Sequence, residues 1–271
     1  MREKLSKMGS ISNQTSHIKN IIKIVSRIPM DENQGYDVLG FIYEFLLKNF
    51  ASNSKKDGEF YTPHEISILM SEIVAHHLRD REQINILDPT SGSGSLLINI
   101  GQSVQKYLQD SGNITYYAQE LIQETFNLTR MNLVMRGINP SNIKVRRGDT
   151  LANDWPYFDD NDENSYEYVP VDCVVSNPPY SHKWDADNYT NDPRYKEYGI
   201  APASKADYAF LLHDLYHLKD NGIMCIVMPH GVLFRGGSEK DIRTQLVENN
   251  NIETIIGLPS NCFYGTDIST I

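Results

Sequence analysis

The chain has 271 residues, of which 40% are hydrophobic and 22% charged, and its formal net charge is −10. This suits one large globular domain with a small accessory piece, because a single core serves up to roughly 250–300 residues. The acidic balance argues against a freestanding nucleic-acid binder, which usually carries a basic excess. Any affinity for nucleic acid must therefore be local or come from a partner.

Three cysteines, Cys173, Cys225 and Cys262, lie far apart and form no CxxC pair. This spacing predicts reduced core residues in a cytoplasmic protein rather than a disulfide framework or a zinc site. The first residues contain no apolar segment typical of a signal peptide, and no apolar run approaches the roughly 18 residues of a membrane helix. The sequence therefore predicts neither membrane association nor a metal site.

The N-terminal part of the chain shows the apolar spacing of helices, which are predicted over residues 16–28, 36–51 and 62–78. The third begins like a capped helix, because Thr62 suits the N-cap, Pro63 the first turn and Glu65 a capping box. We expect an N-terminal helical segment over 1–57, the remnant or start of a helical domain, and a larger domain over 58–271.

From residue 84 onward, apolar runs alternate with helical patterns. Strands are predicted over 84–89, 114–121, 143–149, 171–180, 223–234 and 252–259, and helices over 95–108, 124–137, 205–222 and 239–249. The expected fold class is therefore α/β, a doubly wound, mostly parallel Rossmann-like sheet with helices on both faces. Gly222 is interpreted as a helix end and the acidic stretch 157–168 as a solvated loop. Because 264–271 resembles the start of a further strand, we expect a C-terminal truncation.

Four consecutive predicted strands end in polar residues, namely Asp88, Glu120, Asp149 and Asn177. A Gly-rich turn follows the first of them, but it matches neither a Walker A loop nor a complete GxGxxG fingerprint. Each feature alone is compatible with an ordinary strand-to-helix turn or a helix cap. All four in order predict one site for an adenosine-type ligand, because ligands bind at the carboxyl ends of the strands in open α/β sheets.

The series DPTSGSG (88–94), QEL (119–121), GDT (148–150) and NPPY (177–180) resembles the S-adenosylmethionine-dependent DNA adenine-N6 methyltransferases. The block GEFYTPHEI (58–66) precedes the Gly-rich turn and NPPY follows it, as in the gamma order of that group. With GLPSNCFYGT near the end, the sequence resembles the modification (M) subunit of type I restriction–modification systems from about residue 36 onward.

The resemblance implies that S-adenosylmethionine is the cofactor. Residues 60–63 would line its methionine end, and the Gly-rich turn would pass under its carboxylate and sulfonium. Glu120 would accept hydrogen bonds from the ribose hydroxyls, and Asp149 from the amino group of the cofactor's adenine. The expected cofactor-binding residues are Phe60, Tyr61, Thr62, Pro63, Asp88, Thr90, Gly92, Gly94, Ser95, Glu120, Asp149 and Asn177.

The resemblance also assigns the NPPY residues Asn177, Pro178, Pro179 and Tyr180 to catalysis. Asn177 and the Pro178 carbonyl would accept hydrogen bonds from the target amine, and the prolines would fix where that carbonyl points. Tyr180 would stack on a flipped-out base, with Phe263 on the other face of the base. Such a site needs no metal and no covalent nucleophile, because positioning and electrostatics supply the acceleration.

The implied substrate is DNA, and the implied partners are a specificity (S) subunit, which would read the sequence, and a restriction (R) subunit. Two alternatives remain open: a methyltransferase of RNA amines or of protein glutamine amides, and a non-catalytic scaffold with the same fold.

Several smaller features are ambiguous. Arg194 and Lys196 could contact DNA or belong to a mobile loop over the active site. Arg235 could contact a phosphate or the cofactor, or belong to a simple turn. His213 and His217 are interpreted as surface or core residues rather than as metal ligands.

Overall fold

The computed structural model describes residues 15–16, 19–20, 23, 62–108, 113–152, 157–159, 162–263 and 268–271. The chain divides into two compact units, Met1–Ser54 and Lys55–Ile271. In the first unit the described residues are helical and exposed, and those from 16 to 23 fall within the predicted helix 16–28. The predicted helix 36–51 lies outside the described residues.

The second unit alternates strands and helices along most of its length. Its helices are α1 (His64–Leu78), α2 (Ser95–Gln105), α3 (Gln123–Met135), α4 (Asp207–Tyr216) and α5 (Ser238–Glu248). Its strands are β1 (Ile84–Asp88), β2 (Ile114–Glu120), β3 (Ile143–Arg147), β4 (Tyr157–Asp159), β5 (Asp162–Glu167), β6 (Val171–Ser176) and β7 (Leu218–Ile226).

Five strands form one parallel sheet in the order β3-β2-β1-β6-β7. The chain first builds outward from β1 to β3 and then returns to place β6 and β7 on the other side of β1. The strand order therefore reverses between β1 and β6, which is where open α/β sheets bind their ligands. The predicted parallel α/β fold is confirmed.

Helices cover the sheet on both faces, which explains why every residue of β6 is buried. Cys173 and Val175 belong to the apolar cluster that α1 and α2 form with β1, whereas Val171 and Val174 point into a second cluster on the opposite face. A third cluster joins α4 and α5 to the loop before α4, with Leu212 and Ile242 at its centre. Each such buried aliphatic side chain contributes about 1.5–3 kcal/mol to folding.

The transition from α4 to β7 differs from the prediction. The helix ends at Tyr216 and the strand begins at Leu218, so the predicted helix 205–222 is too long. Gly222 is not a helix end but part of β7, where an added Cβ would lie 3.0 Å from the main-chain oxygen of Asp172. Glycine is needed there because the backbones of β6 and β7 approach closely.

Two further predictions about secondary structure are wrong. The acidic stretch 157–168 is not a loop, because β4 and β5 pair within it as an antiparallel hairpin. Residues 252–259 are not assigned to a strand, and Ile252, Ile255 and Ile256 are exposed. Their apolar pattern resembles that of a buried strand, but in the described part of the chain no strand pairs with it. Among the described residues no helix is long and apolar enough to cross a membrane.

Candidate active site

The four polar strand ends lie at one edge of the sheet. Asp88 is the last residue of β1 and Glu120 the last residue of β2. Asp149 follows the end of β3 by two residues, and Asn177 comes directly after β6. Since these strands are parallel, their carboxyl ends share one edge, with β1 and β6 at the point where the strand order reverses.

The three acids share one local hydrogen-bond pattern. Each carboxylate accepts a hydrogen bond from the backbone N–H of the residue two positions later, so one oxygen shapes the turn that leaves the strand. Carboxylate oxygens can accept further bonds, which leaves acceptor capacity for a ligand. The three bonds run from Thr90 to Asp88 (3.0 Å), from Ile122 to Glu120 (2.9 Å) and from Leu151 to Asp149 (3.0 Å).

The Gly-rich turn is tied to the neighbouring strand end and to α3. The backbone N–H of Gly92 donates to Glu120 Oε2 at 2.9 Å, and the Thr129 hydroxyl donates to the Gly92 carbonyl at 2.7 Å. Gly94 has a φ of 81° and stands at the N-cap of α2, where an added Cβ would lie 3.1 Å from Thr129 Cγ2. Glycine at this position combines a left-handed conformation with close packing.

A cleft opens above this turn, between the ends of β1 and β6. Six of the twelve predicted cofactor-binding residues line it, Pro63, Gly94, Glu120 and Asp149 do not, and Phe60 and Tyr61 lie outside the described residues. Sequence reasoning missed three lining residues, because the sequence of a turn does not show which of its residues border a cleft. The lining consists of Thr62, Asp88, Thr90, Ser91, Gly92, Ser93, Ser95, Leu96 and Asn177.

Asp88 is only 1% exposed. Burial raises the pKa of its carboxyl well above the ordinary value, the nearby Asp214 and Glu120 raise it further, and the hydrogen bond from the Thr90 N–H opposes the shift. A cationic ligand group beside Asp88 would favour its ionised form. The polar residues that line the cleft match a polar ligand.

Thr62 does not cap the helix that follows it, so that prediction is wrong. The helix begins at His64, Pro63 occupies the N-cap position, and the Pro63 carbonyl accepts the first helical hydrogen bond from Ser67. The Thr62 hydroxyl instead accepts a hydrogen bond from Asn177 Nδ2 at 3.0 Å. The Thr62 hydroxyl thus bonds to a residue distant in sequence and not to the backbone of the helix that follows it.

The Asn177 amide is held at both of its ends. Besides the bond to Thr62, its Oδ1 accepts a hydrogen bond from the Tyr180 hydroxyl at 2.7 Å. Burial raises the pKa of the Tyr180 phenol, and Cys262 and Asp207 raise it further, so this hydroxyl stays protonated and can donate. An amide oxygen has two lone pairs, which leaves Asn177 Oδ1 able to accept from one more donor.

Phe263 lies beside Tyr180, but the two rings are not parallel. Their centroids are 6.2 Å apart with an interplanar angle of 80°, and Phe263 is 3% exposed. In this conformation the pair packs edge to face, so a base can enter between the rings only if one of them turns. The stacking roles of Tyr180 and Phe263 stay predictions.

Asp207, at the start of α4, is a site residue that sequence reasoning missed. Its Oδ1 accepts a hydrogen bond from the Ser181 N–H at 2.7 Å, and Ser181 has a φ of 53°. Its Oδ2 forms an ion pair with Arg235 at 2.7 Å, and Arg235 also pairs with Glu239. Arg235 therefore supports the loop that follows NPPY. In the sequence, an acid at a helix start indicates only a favourable interaction with the helix dipole.

Arg194 and the paired histidines are interior residues. Arg194 is 3% exposed and ion-pairs with Asp192 at 2.7 Å, so the suggested surface contact between Arg194 and DNA is wrong, whereas Lys196 is exposed. His213 and His217 are fully buried core residues. Burial lowers the pKa of His213, and His217 and Arg194 lower it further.

Comparison with known proteins places the chain beside enzymes that modify DNA. A family model described as N-6 DNA methylase matches residues 34–271. The chain is 37% identical to the type I restriction enzyme MpnII methylase subunit of Mycoplasma pneumoniae, covering 97% of this chain and 49% of the relative. It is 35% identical to the MjaVIII methylase subunit of Methanocaldococcus jannaschii, over 93% of this chain and 42% of the relative.

The solved structures give the same picture of the fold. The type I restriction-modification system methyltransferase subunit from Streptococcus thermophilus superposes with a TM-score of 0.83 at 42% sequence identity, over 96% of this chain and 53% of that chain. The chain thus spans about half the length of the relatives it matches.

Proposed function

Because the chain belongs to the N-6 DNA methylase family, we propose that it transfers a methyl group from S-adenosylmethionine to the exocyclic N6 amine of an adenine flipped out of DNA. One observation carries the proposal. The Asn177 amide, fixed by Thr62 and Tyr180, borders the same cleft as Asp88 and the Gly-rich turn. An acceptor for a target amine thus adjoins a candidate cofactor site.

The residues at the cleft suit S-adenosylmethionine. Thr90 Oγ1 is buried, lines the cleft, and has no hydrogen-bond partner among the described residues, as expected where a polar ligand completes the site. Glu120 and Asp149 are acceptors that match ribose hydroxyls and an adenine amino group, and they lie at the same sheet edge. When bound, the cofactor supplies a methyl group activated by its positively charged sulfur.

The protein's part in the reaction is to prepare and position the nucleophile. An exocyclic adenine amine is a poor nucleophile, because its lone pair is delocalised into the ring. Asn177 Oδ1 and the Pro178 carbonyl would accept the two amine hydrogens, which favours a more tetrahedral and electron-rich nitrogen. Tyr180 would hold the base by stacking while its hydroxyl fixes the Asn177 amide.

The relatives bear the name of type I restriction enzyme methylase subunits, and this supports the same place for this chain in a larger assembly. In that assembly an S subunit would read the DNA sequence and an R subunit would join for cleavage. The net charge of −10 agrees with a catalytic subunit that obtains much of its DNA affinity from a partner.

The proposal is tested by two measurements on the same preparation. Calorimetry should show that S-adenosylmethionine binds to the chain. With an S subunit present, tritiated methyl groups should appear on DNA, and digestion to nucleosides should place them on adenine N6. Label on RNA or protein instead would support the alternative substrates. Cofactor binding without transfer to any of these substrates would indicate a scaffold.

A further inference from the structure

A buried arginine in the loop between β6 and α4 grips the turn that follows β3. Arg194 Nη1 donates to the Thr150 carbonyl at 2.8 Å, and Nη2 donates to the Leu151 carbonyl at 2.9 Å. Thr150 and Leu151 directly follow Asp149. One side chain from a distant part of the sequence thus fixes the backbone just after a proposed cofactor contact.

Every N–H of this guanidinium has an acceptor. Nε donates to Asp192 Oδ1 at 3.0 Å and Nη2 also donates to Asp192 Oδ2 at 2.7 Å. The remaining Nη1 hydrogen meets His213 Nδ1 at 3.0 Å. Because arginine always donates, His213 Nδ1 must be the acceptor, in agreement with the lowered pKa of this buried histidine. A lysine at this position has only three donors on one nitrogen and cannot reproduce the arrangement.

The turn at residues 150–151, which Arg194 holds, also orients the Asp149 carboxylate. The Leu151 N–H donates to Asp149 Oδ1 at 3.0 Å, while the Thr150 hydroxyl donates to the Pro89 carbonyl in the Gly-rich turn. Displacement of the 150–151 backbone therefore moves both the acid and its link to the neighbouring strand end. Burial of Arg194 removes competition from water, which strengthens these bonds.

We propose that Arg194 is a positioning residue for the cofactor's adenine, acting through Asp149, and that it sets the preference for a purine with a 6-amino group. This rests on the proposed function, in which Asp149 accepts a hydrogen bond from that amino group. A purely structural tie would affect stability, and would weaken the binding of every ligand of the cleft equally.

The test compares two ligands that differ only at N1 and C6 of the purine. S-adenosylhomocysteine carries a 6-amino donor, whereas S-inosylhomocysteine carries a 6-oxo acceptor, with a hydrogen on N1, and cannot donate to Asp149 from the 6-position. Calorimetry on the intact chain should show that the wild type prefers the adenosyl ligand. Arg194→Lys should weaken adenosyl binding about tenfold, the size of one well-placed hydrogen bond, and change inosyl binding by less than about twofold.

Arg243 offers a matched control. It also donates to two main-chain carbonyls, those of Val232 at 2.7 Å and Arg235 at 3.2 Å, but it does not contact residues 149–151. Arg243→Lys therefore removes the same kind of clamp elsewhere. Both lysine variants should lower Tm, while the ratio of adenosyl to inosyl affinity should fall only in Arg194→Lys.

The outcomes separate the inference from the proposed function. A ratio that is unchanged in Arg194→Lys, or equal losses for both ligands, overturns the positioning role, as does a wild type that binds both ligands alike. A wild type that binds no adenosyl ligand overturns the proposed function itself. If Arg194→Lys does not fold, Asp192→Asn replaces it, because it weakens the carboxylate that anchors the guanidinium; the same fall in ratio is expected, and an unchanged ratio overturns the inference.

Discussion

The two halves of the site are held in different ways. In the cofactor half, which we define as Asp88, Glu120 and Asp149 with their turns, each acid bonds to a backbone N–H two residues later. In the target half, residues 177–181, the supports come from far along the chain: Asn177 bonds to Thr62, 115 residues away, and Ser181 to Asp207, 26 residues away.

This difference predicts how the two functions of the site respond to substitution. The acids of the cofactor half shape their own turns, and longer-range hydrogen bonds from Glu120, Thr129 and Arg194 add to these local ones. The target half is assembled from three separate segments and includes Ser181 in a left-handed conformation, which costs about 1–3 kcal/mol unless its surroundings hold it. Loss of a distant support of the target half should therefore damage methyl transfer before it damages cofactor binding.

The largest effect is expected for Asn177→Ala, which removes the proposed acceptor of the target amine. Methyl transfer by the assembled complex should fall by about 10²–10³-fold or more, the range seen when one preorganised group in an active site is lost. Affinity for S-adenosylmethionine should change by less than about tenfold. Single-turnover assays and calorimetry on the same preparation measure the two quantities.

Asn249→Ala provides the control, since Asn249 is an exposed asparagine in the turn after α5 and bonds to Glu197. It should leave both transfer and cofactor affinity unchanged. The division between the two halves breaks down if Asn177→Ala loses cofactor affinity as severely as it loses transfer.

Asp207→Ala should have the next largest effect. It releases the Ser181 N–H and leaves Arg235 without its main partner. Transfer should fall by about 10²-fold through misplacement of the NPPY loop, with cofactor affinity retained. Asp207→Asn keeps an acceptor for Ser181 and should lose about tenfold or less. Equal losses in the two variants would show that the ion pair matters and the Ser181 bond does not.

The parts of the molecule that follow from local sequence were predictable. Alternating apolar runs predicted the parallel α/β sheet, which the strand pairing confirms. The positions of Asp88, Glu120, Asp149 and Asn177 at strand ends followed from the same periodicity. Each of these inferences needs only the periodic spacing of apolar residues and the polar residue at which that spacing ends.

The parts that depend on distant partners could not be predicted. Thr62 has the sequence signature of a helix cap, yet its hydroxyl bonds to Asn177, and no pattern in either segment reveals this pairing. The loop residue Arg194 resembled an exposed cation beside aromatic residues until its contacts with Asp192 and two carbonyls placed it in the interior. Tertiary contacts of this kind override local preference because they satisfy buried groups that local turns do not reach.

A smaller effect, on the pH dependence of stability, is expected for Asp214, a buried residue that contacts the end of β6 just before the target half. Asp214 on α4 is hydrogen-bonded to Ser176, the residue before Asn177, and its Oδ1 has no partner among the described residues. Burial raises the pKa of Asp214 to about 8, with the bond to Ser176 opposing the shift. The folded state therefore holds this proton more tightly than the unfolded state, and the stabilisation is lost as pH rises toward and through 8.

Asp214→Asn should remove that dependence, because an amide keeps the shape of the protonated carboxyl. The free energy of unfolding of the wild type should fall relative to that of the variant by about 2 kcal/mol between pH 6 and 8. Denaturant titrations at several pH values measure the difference, and cofactor affinity should be unaffected. A difference that stays constant with pH would mean that Asp214 is ionised in the folded protein.

The smallest effect is expected in the cofactor half, for Gly94→Ala. The left-handed backbone of Gly94 costs an alanine about 1–2 kcal/mol, and the new methyl group would press on Thr129 Cγ2. Adding Thr129→Ser removes this contact while keeping the hydroxyl that bonds to Gly92, so the double variant separates conformational strain from crowding. Denaturant unfolding and cofactor calorimetry should show a small loss in both. Because Gly94 belongs to the cofactor half and does not contact residues 177–181, methyl transfer at saturating cofactor should be little changed, and a large fall in transfer there would show that the two halves are coupled through the Gly-rich turn.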